Sequence, residues 1–144
     1  MAARKRPLFD ASTPAGKRVQ RRLRKEVIIW LATSGDEGRP HAVPVWFWWD
    51  GKSFLIYSLP GQKVNDIEAN ARVTLHLNTG PDGEGVVRID ADAKRLRRHA
   101  PAYKVPVYVR KYRALIKGYG WTPKSFSDQY HVVLRATPTR FRTG

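Results

Sequence analysis

Cysteine is absent from this 144-residue chain, and that gap removes disulfide scaffolding, thiol catalysis and cysteine-ligated zinc together. No apolar run approaches the ~20 residues of a membrane-spanning helix. The basic N-terminus is not followed by the apolar stretch of a secretion signal. A cytoplasmic protein without a membrane partner is therefore expected. Glycine-rich phosphate loops, a nucleophile elbow and the dinucleotide fingerprint are all missing, so ordinary nucleophilic catalysis has no motif behind it. The four histidines, His41, His76, His99 and His131, have no metal-ligand spacing, and no metal site is expected.

Acidic residues are also scarce, 12 against 27 Lys and Arg, and the imbalance is uneven. Residues 1–25 hold nine bases and only Asp10; residues 26–93 hold five bases and ten acids; residues 94–117 hold nine bases and no acid. A mildly acidic centre is thus flanked by basic segments, a distribution that fits a polyanionic partner or solvated helix faces. In the second segment Arg97, Arg98, Lys104, Arg110, Lys111 and Arg113 alternate with Tyr103, Tyr108 and Tyr112. That pattern fits nucleic acid, though tyrosines at such spacing also serve a helix's core face.

The length allows one domain, which buries roughly 68–70% of its unfolded surface and so carries a core without disulfides. Residues 1–12 read as a flexible basic arm and 13–144 as the domain. Thr13-Pro14 starts a basic helix with an apolar stripe at Val19, Leu23 and Val27. Strand character follows in VIIWLAT, in His41–Trp49, in Ser53–Leu59, in Arg72–Asn78, in Val86–Asp92 and in His131–Arg142. Asp50-Gly51 is a hairpin signal between the second and third of these. A short helix carries Val64 and Ile67, residues 94–117 read as helical with interruptions at Pro101 and Pro106, and Thr122-Pro123 caps one more helix. Six strands with flanking helices make a mainly β chain. His41–Trp49 is apolar on both faces, which predicts that a second subunit covers its outer side; Pro44 within it marks an edge, a bulge or a break in the ladder. Trp46, Trp48 and Trp49 read as core and interface residues.

The sharpest site candidate is Ser58, Gln62 and Lys63. A strand-end hydroxyl, an amide and an ammonium stand where a strand meets a helix through Pro60-Gly61, and the first amides of a helix favour an anion. The plain alternative is an ordinary turn with a solvated lysine. Asp90 and Asp92 share a strand face and read as a solvated edge. No residue stands out as a catalytic acid, base or nucleophile.

The order of three segments, LATSGDEGRPHAVPVWFWWDG, FLIYSLPGQKVNDIEANARVTLHLN and TPKSFSDQYHVVLRATPTRFR, with the helix RVQRRLRKE before them, resembles the pyridoxamine-phosphate-oxidase-like split barrels. It is most similar to the branch that uses the deazaflavin coenzyme F-420. The resemblance implies a six-stranded antiparallel split β-barrel forming a homodimer, with cofactor sites between the subunits. It implies ring contacts from Pro44, Val45, Trp46 and Phe47, and phosphate contacts from Ser58, Gln62 and Lys63 with Val64 and Asn65 beside them. Asn78 would lie near the groove, and Trp121 would come from the partner. Two features depart from true pyridoxamine phosphate oxidases. Their Ser-Arg-Lys corner is here Gly61-Gln62-Lys63, one cation fewer, and the chain ends PTRFRTG without their tryptophan-and-arginine signature. The expected activity is hydride transfer between coenzyme F-420 and a small organic substrate. Flavin mononucleotide (FMN) in the same fold, or a basic nucleic-acid-binding protein, are the alternatives.

Overall fold

The computed structural model describes residues 10–143. The expected arm lies outside the described residues except for 10–12, a turn in which Asp10 accepts hydrogen bonds from Ser12. Helix α1 (Pro14–Lys25) starts as its sequence dictates. Thr13 caps it by accepting the Gly16 amide at 3.0 Å, and a proline occupies the first turn. Gly16 has to be glycine: a Cβ there would lie 1.8 Å from the Asp10 carbonyl oxygen.

Seven strands follow, not six: β1 (Ile29–Ser34), β2 (Pro40–Val45), β3 (Trp48–Trp49), β4 (Phe54–Ser58), β5 (Arg72–His76), β6 (Val87–Leu96) and β7 (Val132–Thr143). The added strand arises because the expected run His41–Trp49 breaks at Trp46-Phe47. Pro44 itself stays in register opposite Trp30, which the edge position of β2 permits. The break is held from outside the sheet. The Tyr112 hydroxyl accepts the Phe47 N–H at 2.8 Å and donates to the Val27 carbonyl at 2.7 Å, while the Lys111 ammonium donates to the Phe47 carbonyl at 2.8 Å. Both backbone groups of Phe47 that the break frees from the ladder thus have partners.

All strand pairs are antiparallel in the order β2-β1-β5-β6-β7-β4-β3. β2 and β3 therefore lie on opposite edges of the sheet with two residues between them. At 3.8 Å per Cα step, Val45 and Trp48 are at most about 11 Å apart. The sheet must curl until its edges nearly meet, and this closes the barrel. Phe47, Phe54, Ile56, Leu31, Leu75 and Ile89 fill the interior, with Val19 and Leu23 of α1 plugging one end.

Helix α2 (Gln62–Ala69) leads from β4 towards β5, and α3 (Pro106–Gly118) and α4 (Pro123–Gln129) stand between β6 and β7. The helical reading of 94–117 was too long. Lys94–Leu96 continue β6 opposite Val133–Arg135, and Pro106 opens α3 as its first residue, where a missing N–H costs nothing. β4 is buried along its whole length. Phe54 and Ile56 face the barrel, whereas Leu55 and Tyr57 face a second cluster with Tyr108, Tyr112, Ile116 and Phe126, against which Trp46 and Trp48 pack. The outer face attributed to a second subunit is thus covered, in this region, by the chain's own α3 and α4.

Candidate functional site

Between the edge strand and that aromatic cluster lies a cavity of about 280 Å³. Val43–Val45 of β2 and Trp46 just after it form one wall, Tyr57, Ser58 and Lys63 the floor, and Tyr119, Trp121, Phe126 and Tyr130 the other side. An edge strand leaves backbone groups on its open side free for a ligand. The rings are fixed by one another. Trp46 stacks on Tyr112 with centroids 4.6 Å apart and on Phe126 at 5.4 Å; Phe126 stacks on Tyr130 at 4.6 Å, and Trp121 on Tyr119 at 4.8 Å. Such a slot accepts a flat apolar or aromatic body, with offset stacking as the favoured contact. Tyr119, 64% exposed, stands at its outer lip.

The polar end is built by α2. Its N-cap, Gly61, has φ 154° and offers no side chain, so the first amides of the helix face outward uncapped. Lys63 follows, half-buried, and burial lowers its pKa from the ordinary lysine value. Among the described residues it has no hydrogen-bond or ion-pair partner. Ser58 is buried and donates to the Leu59 carbonyl at 2.6 Å, which leaves its oxygen able to accept. A partly desolvated cation beside free helix amides fits an anion, and a phosphate attached to a ring system fits the slot and the cradle together.

Six of the expected residues converge here: Pro44, Val45, Trp46, Ser58, Lys63 and Trp121. Trp121 of this same chain lines the cavity. The others are placed elsewhere for definite reasons. Phe47 alternates inward from Trp46 and is fully buried in the barrel, as is Val64 at 4% exposure. Gln62 turns along the helix to donate to Asp66 at 2.7 Å, and Asn65 joins it in a separate hollow. Asn78 binds Trp30 through its side chain at 2.8 Å and Arg22 through its carbonyl at 2.7 Å, away from the cavity. Tyr57, Tyr119, Phe126 and Tyr130 were not foreseen; their signal is only that several aromatics exceed what the barrel interior needs.

The same helix carries a polar centre that no motif announced. The Asp66 carboxylate, 3% exposed, accepts from Thr33 at 2.7 Å and Gln62 at 2.7 Å and pairs with His41 at 3.0 Å. Burial raises its pKa, but these partners outweigh burial and hold it below the ordinary carboxylate value. By contrast Asp90 and Asp92 lie on an outer sheet face, but in the central strand β6, paired on both sides, and not at the edge that was expected; Asp90 is within 3.9 Å of Arg142. No cluster of three or more potential metal ligands, and no helix long and apolar enough to cross a membrane, occurs among the described residues.

A family model described as pyridoxamine 5'-phosphate oxidase matches residues 15–143. Among solved structures, an FAD-binding protein from Mesorhizobium loti is 20% identical, with TM-score 0.63 over 87% of this chain and 88% of that one. An F-420 reductase is 21% identical, with TM-score 0.60 over 85% and 94%. The heme storage protein HutZ from Vibrio cholerae is 14% identical, with TM-score 0.65 over 91% and 95%. At these identities the likeness is one of fold. No curated protein matches the chain in sequence.

Proposed function

The chain belongs to the pyridoxamine 5'-phosphate oxidase family, and we propose that it is an oxidoreductase dependent on the deazaflavin coenzyme F-420, acting on a small organic substrate. The observation that carries this reading is Lys63: a half-buried lysine without a partner among the described residues, beside uncapped helix amides, at the polar end of an aromatic slot.

When bound, the coenzyme supplies a ring carbon that gives or takes hydride. The protein's part is binding and exclusion. Lys63, the opening amides of α2 and Ser58 hold the phosphate. Trp46 and Trp121 bound the ring slot, and the Val43–Val45 backbone offers in-plane contacts. Phe126 and Tyr130 keep water from the inner side. Pyridoxamine phosphate oxidation is not proposed, because Gln62 supplies no second cation and is turned to Asp66. The basic segments around the barrel favour the deazaflavin, whose phosphodiester and glutamates make it more anionic than FMN. As part of the same proposal, the protein is a homodimer whose second copy completes the open side of the slot.

Fluorescence titration with the deazaflavin coenzyme and with FMN tests this. Coenzyme F-420 is expected to bind and FMN to bind more weakly, with Lys63→Ala lowering F-420 affinity by about tenfold to a hundredfold, as expected for loss of a charge-assisted phosphate contact. Preference for FMN would reassign the site to a flavin, and binding of neither would end the cofactor reading.

A further inference from the structure

Helix α1 is divided lengthwise into a face that the barrel uses and a face that it does not. Gly16, Val19 and Leu23 are buried, and Val19 and Leu23 belong to the barrel core. At about 100° per residue, Lys17, Arg18, Arg21, Arg24 and Lys25 fall within an arc of about 120° centred on Arg21, opposite that buried stripe. From Lys17 onward, every residue on the arc is Lys or Arg. All five are exposed, and none has a hydrogen-bond or ion-pair partner among the described residues. Arg22, on the flank of the arc, is the contrast: it donates to Glu26 at 2.6 Å, to the Gly85 carbonyl at 2.6 Å and to the Asn78 carbonyl at 2.7 Å.

The exposed face costs the helix stability. Lys17 and Arg18 stand at the positive end of the helix dipole, with no acidic residue in the first turn to offset them. Arg21 is four residues from Lys17 and Lys25 and three from Arg18 and Arg24, and like charges at these spacings repel. Solubility does not require such a block, since charges of mixed sign serve it without the repulsion. A polyanion lying along the face neutralises it.

The occupant that fits is double-stranded DNA. From Lys17 to Lys25 the face is about 12 Å long at 1.5 Å per residue, and a duplex carries one charge per about 1.7 Å of its axis. A duplex segment of that length presents about seven phosphates to the five side chains. Arg18, Arg21 and Arg24 carry forked donors that match phosphate oxygens. A single strand is held by stacking its bases on aromatic side chains, and α1 has none. A lipid surface holds an amphipathic helix by its apolar residues, and Val19 and Leu23 are committed to the barrel core. None of the five basic residues lines the aromatic cavity, so this surface is separate from the cofactor site.

We propose that the exposed face of α1 is a docking surface for double-stranded DNA, held through its phosphates without regard to sequence. The inference does not depend on the cofactor reading.

The test measures binding of the full chain to a short DNA duplex of arbitrary sequence by fluorescence anisotropy, between about 50 and 200 mM salt. The proteins are wild type, Arg18→Gln/Arg21→Gln/Arg24→Gln, and a control with the same loss of charge on α3, Arg110→Gln/Arg113→Gln/Lys117→Gln. All six side chains are exposed and without partners among the described residues, and glutamine is a good helix former, so the fold is kept. Wild-type affinity is expected to fall steeply as salt rises and to be the same for a second duplex of unrelated sequence. The α1 variant is expected to lose roughly thirtyfold or more at the low-salt end. Its slope of log affinity against log salt should be shallower by about 2.7, at about 0.9 per phosphate contact removed, while the control changes far less. Wild-type binding that the α1 variant leaves unchanged, or an equal loss in the control, overturns the proposal. So does a wild-type chain that binds neither duplex, that prefers the single strand, or that binds phosphatidylserine vesicles and not the duplex.

Discussion

Lys63 and Asp66 are three residues apart on one short helix and have opposite surroundings. The carboxylate is buried and met by Thr33, Gln62 and His41; the ammonium is half-buried and met by nothing among the described residues. Both arrangements cost desolvation, and only the first is repaid within the chain. A polar group whose partners are all internal belongs to the architecture. One left desolvated and unpaired in the lining of a cavity is intelligible through a ligand.

The most direct way to break this comparison is Asp66→Ala. It leaves the buried Thr33 hydroxyl facing a void and removes the acceptor of Gln62 and the partner of His41, and a loss of about 3 kcal/mol in urea unfolding is expected. A loss under about 1 kcal/mol would show that the network is not structural. The pH dependence follows from the sign of the shift. The folded pKa of Asp66 lies below the ordinary value of 3.8, so its contribution is present above that value and lost as pH falls through the folded pKa. Asp66→Asn should remove this part of the acid transition. Tyr112→Phe is the next step down. It strands the Phe47 N–H in a fully buried setting, which should cost about 1 to 3 kcal/mol without changing cofactor affinity at Lys63.

These two residues also mark the limit of what could be read in the sequence. β1, β4, β5 and β7 were legible because strand-rich runs sit between turn signals. α1 was legible because Thr13-Pro14 declares its start. The place of Lys63 at the head of α2 was legible because Pro60-Gly61 marks a strand-to-helix corner. The break at Trp46-Phe47 was not, because it depends on a hydroxyl 65 residues away. The three-residue extension of β6 was hidden for a similar reason: it exists through pairing with β7, against a basic composition that reads as helix. Gln62 and Asn65 do not line the cavity, because adjacency in sequence to Lys63 does not put side chains on the same face of a helix. The aromatic wall of the cavity comes from α3 and α4 folding back on β4, a long-range event without a local motif.

The smallest expected effect sharpens the comparison most. Lys63→Met should change stability at neutral pH by no more than about 0.5 kcal/mol, and towards greater stability, since no internal partner is lost and a burial cost is removed. The sign with pH runs opposite to that of Asp66. Burial depresses the folded pKa of Lys63 below 10.5, so in the window between the two values the unfolded chain binds more protons and stability rises with pH. Lys111, depressed by burial to about 8, adds a rise of the same sign in both proteins. The difference between wild type and Lys63→Met therefore isolates Lys63. It should grow smaller as pH approaches 10.5, and saturating F-420 should abolish that slope, because a bound phosphate restores the charged lysine. A flat difference curve, unaltered by the coenzyme, would mean that Lys63 is an ordinary solvated lysine. Its contrast with Asp66 would then concern exposure alone, and the phosphate cradle would have to be sought elsewhere in the chain.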